Sequence, residues 1–269
     1  MAARPVPEGD GVSTLLRISV TAEAAGLDPA DLLARMSAMF PGRVEERRDG
    51  EGRFEVAAFA APPLTLPAGL GPWRVEPVGA SRIRVWEEHH HGLEIAGCLW
   101  VGPPDEEPPD GVQAVRIEPR GVFGSGAHAT TSGCLELLCE LSEPTSVLDL
   151  GCGSGVLAVC AAVLGHHPVH ACDSDPLAVS AARANAEANG AEVDVFEADA
   201  ATDALPAAHL WLANVSEGAV ADVLRRPDRP PGAIVSGLPA GAPLDYPGYT
   251  VERRLERAGW LAARLTRTG

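Results

Sequence analysis

The sequence predicts an α/β protein: a mostly parallel sheet with an antiparallel C-terminal hairpin, preceded by a small α+β domain. Three observations predict it. From Ser146 onward, short apolar runs alternate with helical stretches rich in Ala. A glycine-rich turn, Gly151-Cys152-Gly153-Ser154-Gly155, joins the first such run to the first such helix. Near the C-terminus, two extended runs flank Ala258-Gly259, as in a hairpin. Strands alternating with helices bury their apolar faces as a parallel sheet with right-handed crossovers.

The order divides the chain into a small domain over 1–88, a linker over 89–118 and a main domain over 119–269. Residues 1–10 are rich in Pro and Gly and predict disorder. Thr14 to Val20 favours a strand. Asp28-Pro29 opens a helix through Leu32, Leu33 and Met36, with Asp28 as N-cap and Pro29 in the first turn. Arg53 to Phe59 and Arg82 to Trp86 read as strands. In the linker, Leu99-Trp100-Val101 and Ala114 to Ile117 are extended pieces set among Pro/Gly clusters.

In the main domain, strands are expected at Ser146–Leu150, Val169–Cys172, Val193–Phe196, Leu210–Ala213 and Ala233–Val235. Helices are expected at Ser154–Leu164 and Pro176–Asn189, the second closed by Gly190. Val251–Leu255 and Trp260–Leu265 then form an antiparallel edge.

Composition narrows the function classes. Hydrophobic residues make up 46%, enough for a core. The formal charge is −16, and all 21 basic residues are Arg. So acidic a surface repels phosphates, disfavours direct nucleic-acid binding and suits a basic partner. Without Lys, Schiff-base catalysis by a lysine is excluded. No apolar run approaches the roughly 18 residues that span a bilayer, and the N-terminus has no apolar signal core. The expectation is a soluble, cytoplasmic monomer with no membrane partner. The six cysteines form no C-x-x-C pair, so they read as reduced structural thiols rather than a zinc framework. His89-His90-His91 lacks Cys or carboxylate partners at ligand spacing and reads as a solvated cluster, so no metal is expected.

The chemistry concentrates at the glycine run. A strand feeding a glycine turn and a helix N-terminus presents backbone N–H groups to a polar ligand. A dinucleotide site wants G-x-G-x-x-G; here Val156 stands at the third glycine. Asp149 before the glycines suits a cationic cofactor rather than a pyrophosphate. The pattern D-x-G-x-G-x-G over Asp149, Gly151, Gly153 and Gly155 resembles that of class I methyltransferases, whose fold is Rossmann-like and whose cofactor is S-adenosyl-L-methionine. Asp173, after the second strand, is placed to accept ribose hydroxyls. Asp175 competes for that role, though its place before Pro176 also makes it a natural N-cap. Asp199, after the third strand, is either an adenine contact or a solvated loop acid.

Phe123-Gly124-Ser125-Gly126-Ala127-His128-Ala129-Thr130-Thr131, followed by Cys134-Leu135, resembles the F-G-T-G-T-H-P-T-T segment of the ribosomal protein L11 methyltransferases (PrmA). Ala213-Asn214-Val215 is similar to that family's A-N-I, and Ser236-Gly237 and Gly259-Trp260 fall where it has Ser-Gly and Gly-Trp. The resemblance covers residues 85–269 well and residues 1–84 only in size and coarse pattern. It implies that Thr130, Gly151, Asp173 and Asn214 contact the cofactor. It further implies that the N-terminal domain recognises a large-subunit ribosomal protein, and that the methylated groups are Lys amines and an N-terminal amine. Asn214 is the candidate to orient the amine; its side chain carries both an oxygen and an NH₂ group. His128 is a candidate proton acceptor or a brace for the loop. Ala127 and Ala129 replace the family's Thr and Pro, Asp105 stands where a Trp is expected, and Leu238 to Tyr249 is too rich in Pro and Gly for a long helix. These departures touch the substrate side and leave open another protein, a small amine, or cofactor binding without turnover.

Overall fold

The computed structural model describes residues 16–29, 32, 35–36, 44–48, 53–60, 70–77, 92–118, 120, 122–124, 126 and 128–268. The expected strand at 82–86, the histidine cluster at 89–91 and residues 1–10 lie outside the described residues. The chain divides into two compact units, residues 1–89 and 90–269.

The first unit contains a four-stranded antiparallel sheet, in the order β2-β3-β1-β4. Its strands are β1 (Leu16–Thr21), β2 (Val44–Arg48), β3 (Phe54–Ala60) and β4 (Arg74–Pro77). After β1 comes the short helix α1 (Ala22–Ala25), which Thr21 caps by accepting the Ala24 N–H. Pro29, Leu32, Arg35 and Met36 are helical, and Leu32 and Met36 join Ile18, Val20 and Val56 in the core. Beside them Arg17 and Glu55 form a buried ion pair at 2.8 Å, which satisfies both charges where water is excluded.

The second unit opens with a three-stranded sheet of β5 (Leu93–Ile95), β6 (Leu99–Gly102) and β7 (Gln113–Arg116). The sequence reads this stretch as a linker with extended pieces; instead Ile95, Leu99, Val101, Val115 and Ile117 are buried in the unit's main core. The reason is physical: five apolar side chains alternate inward between the Pro/Gly turns, and turns alone do not make a linker.

A seven-stranded sheet follows, in the order β10-β9-β8-β11-β12-β14-β13. Its strands are β8 (Val147–Leu150), β9 (Val169–Asp173), β10 (Asp194–Glu197), β11 (Leu210–Asn214), β12 (Gly232–Pro239), β13 (Tyr249–Arg257) and β14 (Trp260–Arg267). The first five are parallel, and β14 runs antiparallel to both β12 and β13. Ala258 and Gly259 turn the β13–β14 hairpin, both with positive φ, +49° and +81°. That pair of conformations matches the right-handed twist of the flanking strands.

Helices α2 (Ala129–Cys139), α3 (Val156–Val163), α4 (Pro176–Ala188) and α5 (Glu217–Leu224) cover the sheet. Side chains of α2, α3 and α4 share one core with Val147, Ala171 and Leu212. Those of α5 share the other with Leu148, Leu150, Trp211 and Val235. Period-2 alternation therefore assigns each strand residue to one face. The stretch 238–249 ends β12 and then forms no helix, as its Pro and Gly content predicts. Cys98 and Cys139 are joined in a disulfide, which corrects the expectation that all six thiols are reduced. Sequence spacing could not show that the turn before β6 meets the end of α2. The other four cysteines are free and buried. Among the described residues no helix is long and apolar enough to cross a membrane, and no group of His, Cys, Asp or Glu could hold a metal ion.

Candidate functional site

The site lies where strand order reverses. From β8 the chain builds outward through β9 and β10; from β11 it builds the other way through β12. The helices after β8 and β11 cover opposite faces of the sheet. A crevice at the carboxyl ends of the two strands follows from that divergence.

Beyond β8 the glycine run turns with φ of +67° at Gly151, +55° at Gly153 and +80° at Gly155. A Cβ at Gly153 would lie 2.5 Å from the Phe123 carbonyl oxygen, so the Phe123 loop sits directly on the run. Two hydrogen bonds fasten it there. The Ser154 N–H donates to the Phe123 carbonyl at 2.9 Å, and the Ser154 hydroxyl donates to the Gly124 carbonyl. Ser125 and Ala127 of the same loop lie outside the described residues.

The first turn of α3 is served from inside. Asp149, only 1% exposed, accepts the Ala158 N–H at 3.2 Å, and Ser154 Oγ accepts the Val156 N–H at 3.3 Å. Its carboxyl is therefore buried beneath α3, behind the glycine run that follows it. Burial pushes its pKa up to about 7; the Ala158 hydrogen bond opposes this, and nearby Asp173 adds to it. An internal acid at this helix N-terminus takes the place that a pyrophosphate would need.

At the end of β9 the two candidate carboxylates separate. Asp173 accepts the Gly153 N–H on one oxygen at 3.0 Å and the Asp175 N–H on the other at 2.9 Å. Asp175 accepts the Leu177 N–H at 3.0 Å and is the N-cap of α4. Asp173 thus fronts the glycine run, while Asp175 shapes a helix end.

Asp199 is exposed and organises a turn: it accepts the Ala201 N–H at 2.9 Å, and its own N–H donates to Asp203 at 2.9 Å. Arg226 holds this loop by donating to the Ala200 and Asp203 carbonyls at 3.1 and 2.8 Å, with its guanidinium forked onto Asp228. The Ala198 N–H donates to the Asp173 carbonyl at 3.1 Å, so the turn adjoins the end of β9.

On the other side, Asn214 ends β11 and donates its amide N–H to the Thr131 hydroxyl at 3.1 Å. Thr131 and Thr130 are buried in the first turn of α2. His128 is the N-cap of that helix: its Nδ1 accepts the Thr130 N–H at 3.3 Å and lies 2.7 Å from the Thr130 hydroxyl. An Nδ1 that accepts is unprotonated, so the neutral ring carries its proton on Nε2. Its ring stands edge-on to Phe123 and to Trp260, with centroids 5.6 and 5.5 Å away. Desolvation by that packing lowers its pKa, which favours the neutral ring.

The fold brings Gly151, Gly153, Gly155, Asp173, Thr130, His128 and Asn214 to one end of the sheet, with Asp199 on the turn beyond β10. Sequence reasoning missed Thr131 as the partner of Asn214, the Ser154 clasp, Arg226 and Asn185. Asn185 donates to the Ser154 and Glu118 carbonyls at 2.9 and 3.0 Å and accepts the Glu118 N–H at 3.0 Å. An Asn inside an Ala-rich helix is the one signal that could have pointed to it.

A family model described as ribosomal protein L11 methyltransferase (PrmA) matches residues 81–226. The ribosomal protein L11 methyltransferase of Symbiobacterium thermophilum is 43% identical over 142 residues, 52% of this chain and 47% of that one. That of Burkholderia lata is 34% identical over 208 residues, 72% of this chain and 69% of that one. The match thus spans about half the length of the first of these relatives. A crystal structure of ribosomal protein L11 methylase from Lactobacillus delbrueckii subsp. bulgaricus shares the fold, with a TM-score of 0.57 and 24% identity; it covers 66% of this chain and 100% of that one. With a family match over more than half its length and this sheet order beneath it, the chain belongs to the ribosomal protein L11 methyltransferase (PrmA) family.

Proposed function

We propose that the chain is an S-adenosyl-L-methionine-dependent N-methyltransferase acting on amines of a ribosomal protein, L11, at Lys side chains and the N-terminal amine. The observation that carries this reading is the pairing of Asn214 with Thr131 at the same end of the sheet as the Asp173-fixed glycine run.

The residues present fit the cofactor. A carboxylate held by two backbone N–H groups at the end of β9 suits a ribose diol. A buried acid under the helix N-terminus suits a cation better than a pyrophosphate. Val156, where a dinucleotide site has its third glycine, is buried in the core. Thr130, Gly151, Gly153, Gly155 and Asp173 would hold the cofactor, with the Asp199 turn at its adenine end and the Asn214 backbone at its methionine end.

Held there, the cofactor would supply a methyl group on a sulfonium for transfer to a neutral amine, with the thioether as leaving group and the surplus amine proton released to water. The chain's work is alignment. Asn214 is fixed by Thr131 through its NH₂ group, which leaves its oxygen to accept an N–H of the neutral amine and aim the lone pair. His128 is better suited to bracing than to accepting a proton, because Thr130 occupies the only lone pair of the neutral ring. A Lys amine, with pKa about 10.4 in water, reacts in its deprotonated fraction, so the rate should rise with pH.

The net charge of −16 supports a basic protein substrate. The proposal assigns residues 1–88 to recognising it and residues 119–269 to chemistry, in a cytoplasmic monomer that binds neither nucleic acid nor membrane. Intact-mass analysis of L11 after incubation with cofactor tests the reading. Stepwise methyl addition that Asn214→Ala abolishes is expected; no addition to L11 by the wild-type chain would refute it.

A further inference from the structure

Two of the five large apolar side chains left exposed among the described residues, Phe123 and Trp260, flank one histidine at the site. Phe123 is 38% exposed and Trp260 37%, and both rings stand against His128. Their placement follows from a closed circuit of contacts. Asn214 donates to Thr131, and Thr131 lies one turn into the helix that His128 caps. His128 touches Trp260, whose neighbour Leu261 accepts the Ser236 hydroxyl at 2.8 Å. Ser236 is the register partner of Asn214 on the next strand, which returns the circuit to its start. Phe123 enters the same frame through its carbonyl, which binds the glycine run.

Trp100 and Trp211 are buried, whereas Phe123 and Trp260 stay partly open against the same histidine, and apolar side chains exposed together rather than singly mark a contact surface. Their common neighbour carries no charge in its neutral form and presents no cation to compete with an incoming one. An aromatic face attracts positive charge through its quadrupole, most strongly for Trp.

We propose that Phe123 and Trp260 form the receiving surface for the substrate amine, where their faces stabilise the positive charge that nitrogen gains as it takes the methyl group. This rests on the methyltransferase reading above. The ligand class is an alkylammonium ion. A neutral amine gains little from the rings and a cationic nitrogen gains more, so the stabilisation grows toward the transition state.

Calorimetry on the full chain, with and without S-adenosylhomocysteine, tests this with choline and with 3,3-dimethyl-1-butanol, its uncharged isostere. Choline is expected to bind roughly tenfold more tightly than the isostere, as a partly desolvated cation–π contact gives. Replacing Trp260 by fluorinated tryptophans, which weaken the quadrupole at nearly constant shape, should erode that preference step by step. Trp260→Leu and Phe123→Leu should each reduce it to within about twofold. Equal binding of the two probes, or a preference indifferent to fluorination, would overturn the proposal. Failure of S-adenosylhomocysteine to bind would instead count against the cofactor reading, because the preference between choline and its isostere is measured without it as well.

Discussion

The Asn214 carboxamide donates to the Thr131 hydroxyl at 3.1 Å, tying the carboxyl end of β11 to the first turn of α2. An amide rotates freely about its last bond unless a neighbour fixes it, and a misaimed oxygen would not align an amine. The contact therefore links a fold feature to a rate. Asn214→Ala is expected to lower kcat by about 100-fold, the size of effect that misplacing a reactant by about 1 Å has. Its affinity for S-adenosylhomocysteine should stay within a few-fold, because backbone contacts remain. Thr131→Val should cost less in kcat, and the double variant little more than Asn214→Ala alone, since both changes remove one device. Steady-state kinetics with calorimetry on the three variants separates these effects.

The two acids at the end of β9 make opposite predictions. Asp173→Ala removes the acceptor for two backbone N–H groups and, on the proposed function, for the ribose diol, so affinity for S-adenosylhomocysteine should fall by at least about 100-fold. Asp175→Ala removes only the N-cap of α4. It should destabilise the fold by about 1 kcal/mol and leave cofactor affinity nearly unchanged. Equal loss of affinity in both variants would contradict the division of labour.

Asp149 gives a pH prediction. Its carboxyl titrates near 7 in the folded chain because of burial, against about 4 when unfolded. Between these values the folded state binds the extra proton, so its contribution to stability falls as pH rises from about 4 to about 7 and levels off above. His128 and His166, both lowered by burial, contribute the opposite slope. The comparison with Asp149→Asn removes that background, since the amide oxygen still accepts the Ala158 N–H. Denaturant unfolding from pH 5 to 8 should show the variant gaining stability relative to wild type as pH rises. A constant difference would mean that Asp149 does not titrate in this range.

Much of this arrangement was legible in the residues. The strands from Ser146 to Val235 and the hairpin at Ala258-Gly259 follow from apolar runs and turn residues, and their observed ends differ by a residue or two except at the end of β12. The glycine run announced itself because three glycines at that spacing serve little else. Less was legible where contacts join distant segments. Nothing local in Thr131 points to Asn214, and nothing in Ser154 points to the Phe123 loop. Helix α2 was hidden as well: its Ala-Thr-Thr-Ser-Gly start has weak helix propensity, and burial of Leu135, Leu137 and Leu138 holds it in place. The supposed linker failed for a related reason. Its Pro/Gly clusters mark turns between strands, and only the packing of Val101 and Val115 shows that the strands share a core.

Asn185 on α4 and Asn189, the C-cap of that helix, sit one turn apart and grip the end of β7 and the chain just after it like a strand of their own. Asn185 exchanges hydrogen bonds with both backbone groups of Glu118 at 3.0 Å, and Asn189 does the same with Arg116 at 2.8 and 2.7 Å. Asn185 also reaches the Ser154 carbonyl, so this grip connects the approach to the Phe123 loop with the glycine run. The two differ in burial: Asn185 is 2% exposed, whereas Asn189 is only partly covered. Truncating the buried amide leaves the Ser154 carbonyl without its partner away from water and frees both backbone groups of Glu118, whereas solvent can replace much of what Asn189 supplies. Asn185→Ala should therefore destabilise the fold by about 2–4 kcal/mol, and Asn189→Ala by about 1 kcal/mol. Asn185→Ala should also weaken S-adenosylhomocysteine binding, because Ser154, which fastens the Phe123 loop to the glycine run, loses the partner of its carbonyl. An Asn185→Ala variant of normal stability and affinity, measured by denaturant titration and calorimetry, would show that the strand-like grip is dispensable.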